Sequence, residues 1–197
     1  YDMKALGDNK DNQEGAILFA NIHDILDKIN ILNQLIKENP NIEIIKKIRN
    51  EYFVENTQKG LSLLHYAVCN ENINILKYLL MHHIYEDINQ VDNKGFSCLH
   101  TAICNTNNTD VLDLLLRAGA DPMLRTGEGH TLLILAARNE NIPMTKYLLH
   151  RKLYTSINEV DNEGWSALHY SVSFNTGLDI IQLLCENGCD VTLLTND

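Results

Sequence analysis

The stretch that decides the fold is Asp92–Ile103, DNKGFSCLHTAI, because a related pattern returns on both sides of it. The other three copies are GLSLLHYAV at Gly60–Val68, GHTLLILAA at Gly129–Ala137 and GWSALHYSV at Gly164–Val172. The glycines at positions 60, 95, 129 and 164 are 35, 34 and 35 residues apart. A fixed period of this size is typical of an array of stacked structural units, in which each unit contacts only its neighbours.

Each copy carries the signals that begin a helix. Two residues after the glycine stands a hydroxyl that can cap the free amides of the first turn, namely Ser62, Ser97, Thr131 or Ser166. Three residues later, three copies have a histidine that can bond back to the cap as in a capping box, namely His65, His100 and His169. The third copy has Ile134 instead, so we expect it to lack a cap bond and to be locally less stable.

A second helix is predicted in every copy by an apolar run that contains two adjacent leucines. The pairs are Leu79-Leu80, Leu115-Leu116, Leu148-Leu149 and Leu183-Leu184. Two short helices cannot bury such an apolar face alone, so we expect successive units to stack on one another.

These residues resemble a known family of repeats. The sequences SCLHTAI at Ser97–Ile103 and SALHYSV at Ser166–Val172 resemble the Thr-Pro-Leu-His-x-Ala motif of ankyrin repeats, although proline is absent here, and AGAD at Ala118–Asp121 resembles that family's helix exit. The resemblance implies an all-α fold, an ankyrin-repeat solenoid of helix-turn-helix units with protruding hairpin fingers. It also implies a protein–protein interaction scaffold that is not an enzyme.

The pattern divides the chain into three parts. Residues 1–13 are polar and are expected to be a lead-in, and residues 14–53 carry two amphipathic helical patterns without the motif. We interpret 14–53 as a degenerate N-terminal capping repeat. Residues 54–197 are predicted to hold four ankyrin repeats and the start of a further unit.

Composition and motifs argue against several functions. The whole chain has a net charge of −10, and residues 60–197 carry 16 Asp and Glu but only 8 Lys and Arg. An acidic protein repels nucleic acid, so we expect no direct nucleic-acid binding. No apolar run approaches the ~20 residues of a membrane span, so we expect no membrane insertion. The repeated Ser and His are explained as caps, and Cys185 and Cys189 lack a second pair at zinc-site spacing. We therefore predict no catalytic residue, no cofactor and no metal site.

The odd number of cysteines, five, favours a reducing compartment. We accordingly expect an intracellular protein, cytoplasmic or nuclear or both. We also expect a monomer.

Candidate binding residues lie on the connections between units, called fingers here. Just after the finger glycines stand Phe96, His130 and Trp165, which we expect to be exposed. Their rings either fold back onto neighbouring fingers or anchor a partner, since aromatic residues dominate binding hot spots. The alternating centres Asp87–Asn93 and Ser156–Asn162 predict hairpin arms with Ile and Val turned inward.

The first helices supply a second set of candidates. Tyr66, Arg138 and Tyr170 are expected to line a concave groove, with Asp92, Asp161 and Glu163 at its rim. Apolar side chains rimmed by carboxylates suit a protein partner with a basic segment. The alternative is a solvated acidic face.

A second resemblance concerns the function. AGADPMLRTGEGHTLL at Ala118–Leu133, followed by a long finger with Ile157-Asn158, is similar to the inner repeats of the IκB family, inhibitors that bind Rel/NF-κB transcription factors. The resemblance implies regulation of such a factor. The alternatives are a cytoplasmic adaptor for cytoskeletal, membrane-protein or ubiquitin-ligase partners, and the targeting domain of a larger enzyme.

Overall fold

The computed structural model describes residues 60–70, 73–174 and 178–196. The predicted lead-in at 1–13 and the predicted capping repeat at 14–53 lie outside these residues. The described ranges contain eight helices, α1 (Leu63–Val68), α2 (Ile73–Met81), α3 (Cys98–Asn105), α4 (Thr109–Arg117), α5 (Leu132–Arg138), α6 (Ile142–Arg151), α7 (Ala167–Phe174) and α8 (Asp179–Glu186). The same ranges contain no strand longer than one isolated bridge between Val160 and Ser166, so the all-α prediction is confirmed.

The helices form four pairs that stack in order. The inner helices α1, α3, α5 and α7 contact one another in sequence, and the outer helices α2, α4, α6 and α8 do the same. One leucine of each predicted pair is completely buried, namely Leu79, Leu115, Leu148 and Leu184. Stacking therefore buries the apolar faces as the sequence predicts, and each unit relies on its neighbours for its core.

The cap histidines connect units as well as closing helices. Nδ1 of His100 accepts a hydrogen bond from the Ser97 amide at 3.1 Å, and its Nε2 lies 3.1 Å from the Leu124 carbonyl in the next finger. A carbonyl can only accept, so Nε2 carries the proton and the ring is neutral. His65 and His169 do the same, with Nε2 at 2.9 Å from the Phe96 carbonyl and at 3.0 Å from the Leu193 carbonyl.

The expectation that the third unit lacks a cap bond is wrong. The Thr131 hydroxyl accepts a hydrogen bond from the Ile134 amide at 3.2 Å, which satisfies one free donor of the first turn of α5. Ile134 itself is buried. The hydroxyl caps this helix without help from a histidine.

The fingers end in tight hairpin turns, and in the described ranges their arms are no longer than the bridge between Val160 and Ser166. In the first, the Gly95 amide donates to the Asp92 carbonyl at 2.9 Å and the Asp92 amide donates to the Phe96 carbonyl at 2.9 Å, with Gly95 at a φ of 79°. This is a four-residue turn whose last residue, Gly95, has a left-handed conformation. The prediction that the finger valines turn inward is wrong, because Val91 is 43% exposed and Val160 is 37% exposed.

Successive fingers are tied together through their backbones. The Gly127 amide donates to the Lys94 carbonyl at 2.8 Å, and the Asn162 amide donates to the Glu128 carbonyl at 3.1 Å. A Cβ on Gly95 would lie only 2.5 Å from the Gly127 nitrogen, so the two fingers can approach this closely only with glycine at position 95. The fingers therefore hold the side chains after each glycine in a repeated geometry.

Candidate protein-binding surface

The first predicted ring, Phe96, is half-buried against its own unit. Its ring lies 5.9 Å from that of His100 in an edge-to-face arrangement. Asp92, predicted at the rim, instead organises the turn, because its Oδ1 accepts from the amides of Lys94 at 2.9 Å and Phe96 at 2.8 Å. A carboxylate held by two amides has fewer lone pairs left for a partner.

The last described unit repeats this arrangement around Trp165. Oδ1 of Asp161 accepts from the amides of Glu163 and Trp165, each at 2.9 Å, and Asp161 is buried rather than at a rim. The half-buried indole lies 5.2 Å from the ring of Tyr170 and 6.2 Å from that of Phe174. The ring thus folds onto the inner helix of its own unit, which neither of our two alternatives anticipated.

His130 was predicted to be exposed, and this is wrong. It is 2% exposed, and its Nε2 lies 3.1 Å from the Tyr170 hydroxyl in the next unit. That hydroxyl donates to Oδ2 of Asp161 at 2.7 Å, so its oxygen can accept the proton of Nε2. His130, Tyr170 and Asp161 therefore form a buried polar cluster between the third and fourth units.

The electrostatics of this cluster favour a neutral histidine and a neutral tyrosine. Burial lowers the pKa of His130, against the nearby Glu128 carboxylate, which raises it. Burial and the hydrogen bond to Asp161 raise the pKa of Tyr170. With Nε2 protonated, Nδ1 of His130 is buried without a hydrogen bond, and Oε2 of Glu128 lies 3.5 Å from it.

The predicted groove residues are mostly buried. Tyr66 and Tyr170 are both buried, so they belong to the packing of the inner helices and do not form an open groove lining. Arg138 is half-buried, with its guanidinium carbon 5.7 Å from the centre of the Tyr170 ring. The face of Tyr170 thus already holds one cation.

What remains exposed around this cluster is a small surface of mixed character. Phe174 is 54% exposed and stacks on Tyr170 at 5.9 Å. Glu163 is exposed beside Trp165, and the Glu128 side chain is 73% exposed beside His130. We call Trp165, Phe174, Arg138, Glu128 and Glu163 the Trp165 surface. It combines partly open aromatic rings with carboxylates.

Sequence reasoning missed Arg125. Its guanidinium donates to the carbonyls of Gly129 at 3.0 Å and Val160 at 2.9 Å and pairs with Glu159 at 2.9 Å. It therefore joins the last two fingers beside the Trp165 surface. The sequence contains one signal for this contact: Arg125 lies in a finger, and the acidic residue Glu159 follows one repeat period later.

Other types of site find no support in the part of the chain that the structure describes. There, no group of three or more His, Cys, Asp or Glu is arranged to hold a metal ion. In the same ranges, no helix has both the length and the apolar character needed to cross a membrane.

Comparisons with known proteins agree with the helix pairs. A sequence profile described as "Ankyrin repeats (3 copies)" matches residues 23–126 and 106–195. The nuclear factor NF-kappa-B p105 subunit of Rattus norvegicus is 30% identical over 138 residues, which are 68% of this chain and 14% of that protein. A putative ankyrin repeat protein of Fowlpox virus is 30% identical over 138 residues, 69% of this chain and 39% of that protein.

A third relative is a palmitoyltransferase of Debaryomyces hansenii, 32% identical over 144 residues, which are 68% of this chain and 17% of that protein. The chain thus spans well under half the length of each of these relatives. The residues that the profile matches include the four helix pairs described above. The chain belongs to the ankyrin repeat family.

Proposed function

We infer that this chain acts as a protein–protein interaction domain, as ankyrin repeats indicate. We propose that this chain binds its partner through the Trp165 surface, and that the partner presents a segment carrying Lys or Arg. The observation that supports this most is the pairing of partly exposed Trp165 and Phe174 with the exposed carboxylate of Glu163.

Physical chemistry gives each group a role. Aromatic side chains contribute large contact areas and are enriched in hot spots. Exposed carboxylates attract a basic segment from a distance and increase the association rate, more than they increase the final affinity. From residue 60 onward the chain has 16 acidic and 8 basic side chains, so the array as a whole is negatively charged, which suits the same basic segment.

We further propose that the partner is a Rel/NF-κB-type transcription factor and that the chain regulates it as IκB proteins do. Two observations support this: the similarity of Ala118–Leu133 to IκB inner repeats, and the 30% identity to the rat p105 subunit. Such a role places the protein in the cytoplasm, the nucleus or both.

The test is a binding assay with a purified Rel-homology domain against the 197-residue chain. We expect saturable binding, weakened at least tenfold by Trp165→Ala combined with Phe174→Ala. Met81→Ala is the control, because Met81 is an apolar side chain that is 68% exposed but lies on the outer helix α2. No binding by the wild-type chain, with its helical signal intact, contradicts the Rel assignment.

A second candidate is a targeting domain within a larger enzyme. The observation that supports it is the 32% identity to a palmitoyltransferase, of which this chain covers 17%. An adaptor for cytoskeletal, membrane-protein or ubiquitin-ligase partners remains the third alternative. If a basic peptide binds the Trp165 surface while the Rel-homology domain does not, one of these two roles replaces the Rel assignment and the surface itself stands.

A further inference from the structure

Helix α8 ends in a turn that holds two cysteines side by side. The Cys189 amide donates to the Leu184 carbonyl at 3.1 Å, the Gly188 amide donates to the Cys185 carbonyl at 3.0 Å, and Gly188 has a φ of 83°. This pair of bonds around a left-handed glycine is the Schellman motif. It places the Sγ atoms of Cys185 and Cys189 at 3.8 Å, in contact.

The same turn closes the other outer helices, and there the two positions are aliphatic. The amides of Ile84, Ala120 and Leu153 donate to the carbonyls of Leu79, Leu115 and Leu148, as Cys189 does to Leu184. The positions equivalent to Cys185 and Cys189 are therefore Leu80 and Ile84, Leu116 and Ala120, and Leu149 and Leu153. Only the fourth unit has thiols, and it has them at both contacting positions.

We propose that Cys185 and Cys189 form a modification site, a dithiol that a peroxide oxidises to an intramolecular disulfide. Cys185 is exposed and meets the oxidant, whereas Cys189 is half-buried and its S–H points at the Cys185 sulfur. This arrangement matches a reactive cysteine beside a resolving cysteine.

The chemistry balances in two steps. The Cys185 thiolate attacks one peroxide oxygen, the O–O bond breaks, and a sulfenic acid forms while hydroxide leaves and takes up the proton that Cys185 had released. The Cys189 sulfur then attacks the Cys185 sulfur, the S–O bond breaks, and the departing hydroxide takes the Cys189 proton as water. Two thiols and one hydrogen peroxide thus give one disulfide and two waters.

The surroundings assign the two roles. Burial, and then the neighbouring Cys185, raise the pKa of Cys189 to about 11, so Cys189 keeps its proton until the second step. To form the bond, the sulfurs must close from 3.8 Å to the ~2.0 Å of a disulfide. The next residue is fixed, because the Asp190 amide donates to Oδ1 of Asn158 in the preceding finger at 2.8 Å.

Another thiol of the same chain provides an internal control. Cys98 is buried, and burial raises its pKa to about 12, so it is expected to react neither with peroxide nor with an alkylating reagent until the chain unfolds.

The experiment uses the reduced 197-residue chain, treated with an equimolar amount of hydrogen peroxide, quenched with iodoacetamide and mapped by mass spectrometry. We expect the peptide containing both Cys185 and Cys189 to lose two hydrogen atoms and to escape alkylation, and a reductant to reverse this. Cys189→Ser should accumulate the sulfenic acid of Cys185, trapped by dimedone, while Cys185→Ser should give no disulfide and no trapped adduct at this site.

Three results would overturn the proposal: alkylation of both cysteines at a peroxide level that oxidises free cysteine, direct conversion of Cys185 to a sulfinic acid in the wild-type chain, or a disulfide between two chains in place of the internal one. Circular dichroism of both serine variants shows whether they fold. This inference does not depend on the proposed partner, because its readout is the modified peptide.

Discussion

The sharpest prediction from the fold concerns His100, because one ring serves two units at once. Its Nδ1 accepts the Ser97 amide at 3.1 Å within its own unit, and its Nε2–H reaches the Leu124 carbonyl at 3.1 Å in the next finger. His100→Ala removes both bonds and the volume of a completely buried ring. The variant tests whether the cap histidine is also a link between units.

The expected cost is larger than that of a lost helix cap. A cap alone contributes about 1 kcal/mol. Here two backbone groups lose their partner, and each such buried group costs about 1–3 kcal/mol. We therefore expect His100→Ala to lower the free energy of unfolding by about 2–6 kcal/mol, a large part of the ~5–15 kcal/mol typical of a domain.

Protonation of the same ring gives an independent prediction. Burial lowers the pKa of His100 to about 4, against its hydrogen bond to Leu124, which raises it. Because the folded pKa lies below the ~6.5 of an unfolded chain, this contribution to stability is fully present above pH ~6.5 and is lost as the pH falls towards ~4. The loss amounts to roughly 3 kcal/mol for this one group.

The assay is urea unfolding followed by circular dichroism, at pH 7 and at pH 5. His150→Ala is the control, because His150 is an exposed histidine on the outer helix α6. We expect wild type to lose stability between the two pH values and His100→Ala to lose less. A cost below about 1 kcal/mol at pH 7, together with an unchanged pH dependence, refutes the idea that this histidine joins two units.

Three further predictions test other links between units. Gly95→Ala should destabilise the chain clearly more than Gly119→Ala in urea unfolding: both glycines have positive φ, but a Cβ on Gly95 meets the next finger at 2.5 Å and one on Gly119 meets nothing within 4 Å. Asn158→Ala should cost about 1 kcal/mol, because its side chain accepts the Asp190 amide at 2.8 Å, and native-state hydrogen exchange should show faster exchange of that amide. Tyr170→Phe should cost about 2 kcal/mol in the same unfolding assay, because the histidine and the carboxylate that its hydroxyl joins are both buried; an unchanged stability would mean that water replaces the hydroxyl.

The sequence was sufficient for the repeat unit because its signals are local. The hydroxyl cap and its histidine lie within one turn of helix, and the hydrogen bonds of His65, His100 and His169 follow from that spacing. The leucine pairs repeat at the same period, and one leucine of each pair is completely buried. Both signals are short-range, so neither required knowledge of how units pack.

The candidate site could not be predicted as well because it depends on contacts between units. Asp92 and Asp161 were predicted to be acids at the rim of a groove. Each carboxylate instead accepts hydrogen bonds from two amides of its own turn, because the turn directs these amides towards it. His130 read as an exposed finger residue, yet the next unit covers it with Tyr170, 40 residues away. No pattern within one period reports such a contact.

The third unit shows how the array keeps its units joined when a motif residue is lost. Elsewhere the histidine of the helix start reaches a carbonyl of the next finger, and Ile134 cannot do this. In this unit the histidine stands four residues earlier, at His130, and reaches the next unit through the Tyr170 hydroxyl and Asp161 instead. A bond to a side chain replaces a bond to a backbone carbonyl. The cost is that Nδ1 of His130 is buried without a hydrogen bond, 3.5 Å from the exposed Glu128 carboxylate of the Trp165 surface.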